Sequence, residues 1–141
     1  MANVRAKTFE YSSSLDPDGA VRAEDGTPVE VPEGWTPENI LLAALLRCIT
    51  ASLRHYAGPK GMTVTTTGAA HGTVTLREDV GMFGLVAASV QLDVTLEPAP
   101  PAEDVPKLLA RAKAGCFVSN SLSVTPAFSF RVNGVAVEPA A

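Results

Sequence analysis

The stretch TPENILLAALLRCITASLRHYAGP, residues 36–59, decides how this chain folds. Thr36 is an N-cap residue type. Pro37 suits the first helical position, and Glu38 puts a carboxylate in the first turn, where the helix dipole favours it. Gly58-Pro59 stops the run. These signals predict one long helix. Around residues 40–46 it is apolar nearly all round, which predicts burial on more than one side. A single small sheet covers only one face. The other calls for a further layer, such as a partner chain would bring.

Before this helix, the chain alternates short extended pieces with turns. AKTFEYSS, residues 6–13, reads as a strand. Asp16-Pro17-Asp18-Gly19 and Glu24-Asp25-Gly26 are turn signals. Residues 20–23 and 28–31 read as short strands around them, and 32–35 (PEGW) as a loop. Beyond the helix, residues 62–76 are rich in Thr and Val and read as a long strand, with Gly68 and Gly72 as marks of a bend or bulge. Residues 81–84 read as a turn and the alternating 85–97 as the returning strand of a hairpin. The proline-rich 98–104 is a stiff connection. Residues 105–114 predict a second helix stopped at Gly115. Ser119-Asn120-Ser121 predict the start of a further helical turn, with Ser119 and Asn120 as its caps. Residues 127–137 predict a last hairpin around Asn133-Gly134, the strongest turn pair in the chain. The sum is an α+β fold: antiparallel sheet with a few helices packed on it.

Composition narrows the function classes. At 141 residues the chain predicts one domain, 1–141, with 46% hydrophobic residues to build its core. The net charge is −4 and no basic run occurs, which points away from nucleic acid and from a polybasic membrane contact. The N-terminal residues lack the apolar stretch of a signal peptide. The apolar run at 40–46 is short of the ~20 residues of a membrane-spanning helix. A soluble, cytoplasmic protein is the expectation. In a reducing compartment, a permanent disulfide is disfavoured and a transient, catalytic one is more natural.

Two cysteines are present, Cys48 inside the long helix and Cys116 just past the second helix. Such a pair is a structural staple, two unrelated buried thiols, or a redox couple. His55 lies two helical turns from Cys48, on the order of 10 Å, too far to be a direct base. His71 sits in the first long strand. Two Cys and two His at these spacings do not form a zinc motif, and no glycine-rich phosphate loop occurs. Trp35, Phe83 and Phe117 are apolar residues in loops or at their edges, suited to the mouth of a substrate pocket or to packing. For Phe117, core packing is the plainer reading.

Two segments resemble the OsmC/Ohr family of osmotically inducible and organic hydroperoxide resistance proteins. One is TPENILLAALLRC, residues 36–48, with Glu38 ten residues before Cys48. The other is AKAGCFVSNSL, residues 112–122, similar to the family's A-x-x-x-C-P-x-S-x-x-L segment. Both occur in the family's order, and the resemblance spans essentially the whole chain. It implies an OsmC-like fold, an intertwined homodimer of two central helices flanked by two sheets. It also implies thiol-dependent reduction of organic hydroperoxides without metal or haem. Cys48 attacks the peroxide and Cys116 resolves it as a disulfide. An external dithiol, of the lipoylated-protein type, restores the thiols.

The family's Glu, matched by Glu38, holds an Arg that stabilises the thiolate. Ten residues of helix span roughly 15 Å, so Glu38 reaches a Cys48 only from the partner chain, or through an Arg on a folded-back loop. That Arg is where the chain departs from the pattern. Pro17 stands before Asp18-Gly19, and the loop VEVPEGW, residues 29–35, contains none. Arg22 is the nearest candidate. Arg47 adjoins Cys48, but successive helix residues point about 100° apart. Phe117 replaces the family's Pro. The alternative implied by the missing Arg is an OsmC-like binding or stress-response protein without useful peroxidase activity.

Overall fold

The computed structural model describes residues 7–141. Its contacts divide the chain into two compact units, one ending at Thr36 and one running from Pro37 to Ala141.

The N-terminal unit is a small antiparallel sheet of β1 (Ser13–Leu15), β2 (Val21–Ala23) and β3 (Pro28–Val29), in that order. Its turns use the Asp-Gly pairs as expected. The Asp18 carboxylate accepts from the Ala20 amide at 3.0 Å, and Asp25 does the same for Thr27 at 2.9 Å. The strand predicted over residues 6–13 is not formed. Ala6 lies outside the described residues, and residues 7–12 have no strand structure. A β-favouring sequence does not make a strand without a partner strand in register.

In the second unit, α1 (Pro37–Ala57) covers the predicted helix and ends in a 3-10 turn, Gly58–Lys60. The hairpin follows as β4 (Thr63–Arg77) and β5 (Met82–Glu97). A 3-10 turn, Ala102–Asp104, leads into α2 (Val105–Ala114), then α3 (Phe117–Ser121), β6 (Ala127–Val132) and β7 (Val135–Val137). The sheet order is β4-β5-β6-β7.

One pairing departs from the expected all-antiparallel sheet. β5 and β6 run parallel, with Ser89 opposite Ala127 and Val94 opposite Val132. The reason is topological: α2 and α3 fill the connection, and such a helical crossover returns the chain in the same direction. The turn predicted at 81–84 lies at residues 78–81, so β5 begins three residues earlier than expected. The register shift in β4 falls between Thr73 and Val74, beside Gly72, while Gly68 keeps regular register with Leu92.

The core is a single layer of helix on sheet. Leu45, Ile49, Leu53 and Ala57 of α1 are fully buried at helical spacing. They meet Val90, Leu92, Val94 and Leu96, which alternate along β5, and Leu108, Leu109 and Ala112 of α2. Burying each such Leu or Ile is worth about 1.5–3 kcal/mol. The prediction that α1 is buried on several sides fails within this chain. Ile40 is 44% exposed and residues 41–44 are only half-buried. Residues 37–60 are in fact long and apolar enough to cross a membrane, at a mean hydropathy of 1.3, contrary to the short-run reading. The core helix of a soluble protein passes the same test. Here the buried stripe of α1 packs against its own sheet and α2.

Candidate functional site

Cys48 lies midway along α1, on the flank of the stripe that faces the core, and is half-buried. Cys116 is fully buried. It stands at the N-cap of α3 with extended backbone (φ −79, ψ 94), between two helices.

Backbone hydrogen bonds set its position. The Gly115 amide donates to the Arg111 carbonyl at 2.9 Å, and the Cys116 amide to the Lys113 carbonyl at 3.1 Å. These close the last turn of α2. The Asn120 amide donates to the Cys116 carbonyl at 3.1 Å and opens α3. Ser119 and Asn120 are not the caps that the sequence predicts. They lie inside α3 and reach back, Ser119 Oγ to the Cys116 carbonyl at 3.0 Å and Asn120 Nδ2 to the Ala114 carbonyl at 2.8 Å. Cys116 therefore sits in a frame fixed from both sides.

Cys48 lies near enough to Cys116 to act on its thiol. Burial, the largest effect, pushes the Cys116 thiol up. Neighbouring Ser119 opposes this. The charge of Cys48 and a hydrogen bond with it raise Cys116 further. In that arrangement Cys116 keeps its proton. A half-open thiol beside a buried one can take an oxidant from outside and pass the oxidised state inward as a disulfide.

Two residues that sequence reasoning missed hold this geometry. Ser52, one turn beyond Cys48, is buried and donates from Oγ to the Ala112 carbonyl at 2.7 Å, tying α1 to α2. Gly115 passes close to the same hydroxyl. A Cβ there would come within 2.7 Å of Ser52 Oγ and 3.0 Å of the Tyr56 ring.

The other expected residues are placed elsewhere. Glu38 is exposed in the first turn of α1, and its own helix separates it from Cys48 by roughly 15 Å. Arg22 belongs to the N-terminal unit, where Nε donates to Asp16 Oδ2 at 2.7 Å and Nη1 to the Gly26 carbonyl at 3.0 Å. Trp35 lies in that unit too and is exposed. Phe83 is 75% exposed near the tip of the hairpin. Phe117 is 71% exposed, which overturns the core-packing reading. As the first residue of α3 it points away from the core that holds Cys116. Arg47 is exposed. His55 meets the Tyr56 ring edge-on at 4.9 Å. Among the described residues, no group of three His, Cys, Asp or Glu gathers as a metal site.

A sequence model of the OsmC-like protein family matches residues 30–131, a stretch that contains Glu38, Cys48 and Cys116. The chain belongs to the OsmC-like family. Among solved structures, an OsmC-like protein of unknown function from Vibrio cholerae is similar at 17% identity and a TM-score of 0.71, over 88% of this chain and 100% of that one. An OsmC-like protein from Mycoplasma pneumoniae is similar at 18% identity and 0.63, over 92% and 98%. An organic hydroperoxide resistance protein from Elizabethkingia anophelis, with thiocyanate bound, is similar at 19% identity and 0.61, over 91% and 98%. At such identities the likeness shows the OsmC-like fold. No curated protein matches the chain.

Proposed function

We propose that this OsmC-like protein is a thiol-dependent peroxidase for organic hydroperoxides, working through Cys48 and Cys116. The observation that carries the reading is the neighbouring placement of a half-buried cysteine and a fully buried one. Similarity to a protein named for organic hydroperoxide resistance supports the substrate class.

The Cys48 thiolate attacks the terminal hydroxyl oxygen of the hydroperoxide, the O–O bond breaks, and the alkoxide takes a proton and leaves as an alcohol. Cys48 is then a sulfenic acid. Cys116 displaces water from it and a disulfide forms. An external dithiol, such as a lipoylated protein, reduces the disulfide, and the chemistry asks for no metal or haem. The working form is a cytoplasmic homodimer in which 1–141 acts as one OsmC-like domain. Glu38 of the partner subunit orients a cation at the dimer-interface site. Arg22 is the candidate cation, and Trp35, Phe83 and Phe117 are candidates for an apolar pocket mouth that the dimer closes.

The test is consumption of cumene hydroperoxide with a dithiol reductant, wild type against Cys48→Ser. Turnover that disappears in Cys48→Ser is expected. Equal rates in the two proteins, or none in either, would sink the peroxidase reading.

One observation favours a second reading. Arg22 is already engaged by Asp16 and Gly26 in its own hairpin. An OsmC-like binding or stress-response protein with little peroxidase activity then becomes the alternative. It predicts that Cys48 alkylates normally but turns over no hydroperoxide.

A further inference from the structure

We infer that Ser52 and Gly115 are positioning residues that set the approach of Cys116 to Cys48 and so control how readily the two thiols join. The inference rests on reading Cys48 and Cys116 as a redox pair. It needs neither the peroxide substrate nor a cation.

Near the cysteines, α1 and α2 meet through small groups as well as the large side chains of the core. Ala112 is fully buried at the contact, Ser52 faces it, and Gly115 follows. Apolar packing of small groups fixes separation weakly, because each contact contributes little. A directed hydrogen bond fixes it better. Ser52 Oγ supplies one at 2.7 Å to the Ala112 carbonyl, four residues before Cys116. That carbonyl belongs to the last turn of α2, where carbonyls lack helical partners. The bond therefore satisfies a buried acceptor and clamps the end of α2 against α1, one turn from Cys48.

Gly115 sets the other limit. Its missing side chain lets the chain leave α2 directly over Ser52 and Tyr56. A methyl there would meet Ser52 Oγ at 2.7 Å, Tyr56 Cε2 at 3.0 Å and the Tyr56 hydroxyl at 3.2 Å. The backbone at Gly115 (φ −87, ψ −1) is open to any residue, so the requirement for glycine there is close approach and not conformation. An alanine would turn the Ser52 hydroxyl out of its bond to Ala112 or push the chain away from α1 immediately before Cys116. A disulfide tolerates only a narrow range of Cα separation, about 4.4–6.8 Å. Displacements of a few tenths of an ångström to 1 Å at this point therefore change the ease of bond formation. A misplacement of about 1 Å can cost a hundredfold in rate.

The two residues touch, so their effects must couple. Gly115→Ala creates a clash with the Ser52 hydroxyl. Ser52→Ala removes that hydroxyl and loses the clamp. In the double variant, the tightest of the three contacts around residue 115 is relieved. The double variant should therefore be better than the sum of the single losses.

The experiment is a redox titration of the purified full-length protein in buffers of reduced and oxidised dithiothreitol, reading the Cys48–Cys116 disulfide by mass. Wild type, Ser52→Ala, Gly115→Ala and the double variant are compared, with thermal midpoints measured in parallel. Each single variant is expected to lower the tendency to form the disulfide by about tenfold, roughly 30 mV for a two-electron couple. The double variant is expected to lie closer to wild type than the added losses predict. Thermal midpoints that fall while all four disulfide equilibrium constants stay within about twofold would make Ser52 and Gly115 ordinary packing residues and overturn the inference. So would strict additivity, since it denies the contact. Ser52→Ala keeps the test decisive if Gly115→Ala fails to fold. A wild type that forms the disulfide and shows the coupled shifts, yet consumes no hydroperoxide, would uphold this inference while the proposed peroxidase activity fell.

Discussion

At Cys116, burial and the neighbouring Cys48 act in the same direction on the thiol proton. The consequence for stability has a definite sign. The folded state holds this proton above the pH at which an unfolded thiol, near 8.5, releases it. The unfolded state thus binds fewer protons in that window. The contribution of Cys116 is fully present below the unfolded value and is lost as the pH rises through it towards the raised folded value. Urea unfolding of wild type and Cys116→Ala, from about pH 7 to about pH 10, should show wild-type stability falling more steeply on the alkaline side. Parallel curves would mean that the thiol is not held protonated by the fold. The proximity of the two cysteines was legible only through the family resemblance, because chain spacing says nothing of adjacency across two helices. Ser52 was illegible for a related reason: a lone serine on an apolar helix gives no sign of the carbonyl it will meet.

Elements whose signals are local were read closely. First-turn residues and the Gly58-Pro59 stop bounded α1, Gly115 stopped α2, and Asn133-Gly134 marked the last turn. Both of its residues take the positive φ of such a turn, 48° and 84°. The parallel pairing of β5 with β6 was not legible, since it depends on where a crossover returns and not on any residue in either strand. The role of Asn133 also exceeds its turn. Its Oδ1 accepts from the Leu96 amide at 2.9 Å and its Nδ2 donates to the Leu96 carbonyl at 3.2 Å, while its own amide donates to the Val94 carbonyl at 2.9 Å. The side chain thereby stitches the β6–β7 turn to the end of β5. Asn133→Ala leaves the amide of buried Leu96 without a partner and puts alanine at positive φ. A loss of about 2–4 kcal/mol is expected, read from the urea midpoint. Hydroperoxide turnover at temperatures where the variant is folded should not change, because these bonds involve none of the cysteine frame. A loss below about 0.5 kcal/mol would show that water replaces the side chain.

At the scale of the molecule, the unsatisfied feature is apolar surface. The outer half of the β4–β5 hairpin extends beyond the buried alternation of β5 and exposes Val74, Leu76, Val80, Met82, Phe83 and Val86. The first turns of α1 leave Ile40 exposed and the next residues half-covered. Scattered apolar residues are ordinary on a surface, but contiguous stretches of this kind mark contact sites. A second copy of the chain is the occupant predicted by the proposed homodimer, and it would complete the layer that the sequence of α1 anticipates. Sedimentation equilibrium should then return about twice the 14.7 kDa chain mass. Ile40→Glu and Phe83→Asp place charges where apolar contact is expected, and each should weaken association by at least tenfold, since burying an unpaired charge costs several kcal/mol. If Glu38 acts across the interface, dissociation should abolish turnover while the Cys48–Cys116 disulfide still forms within each chain. A wild type that sediments as a monomer with full activity would remove the partner from the site. The cation for Cys48 would then have to come from its own chain.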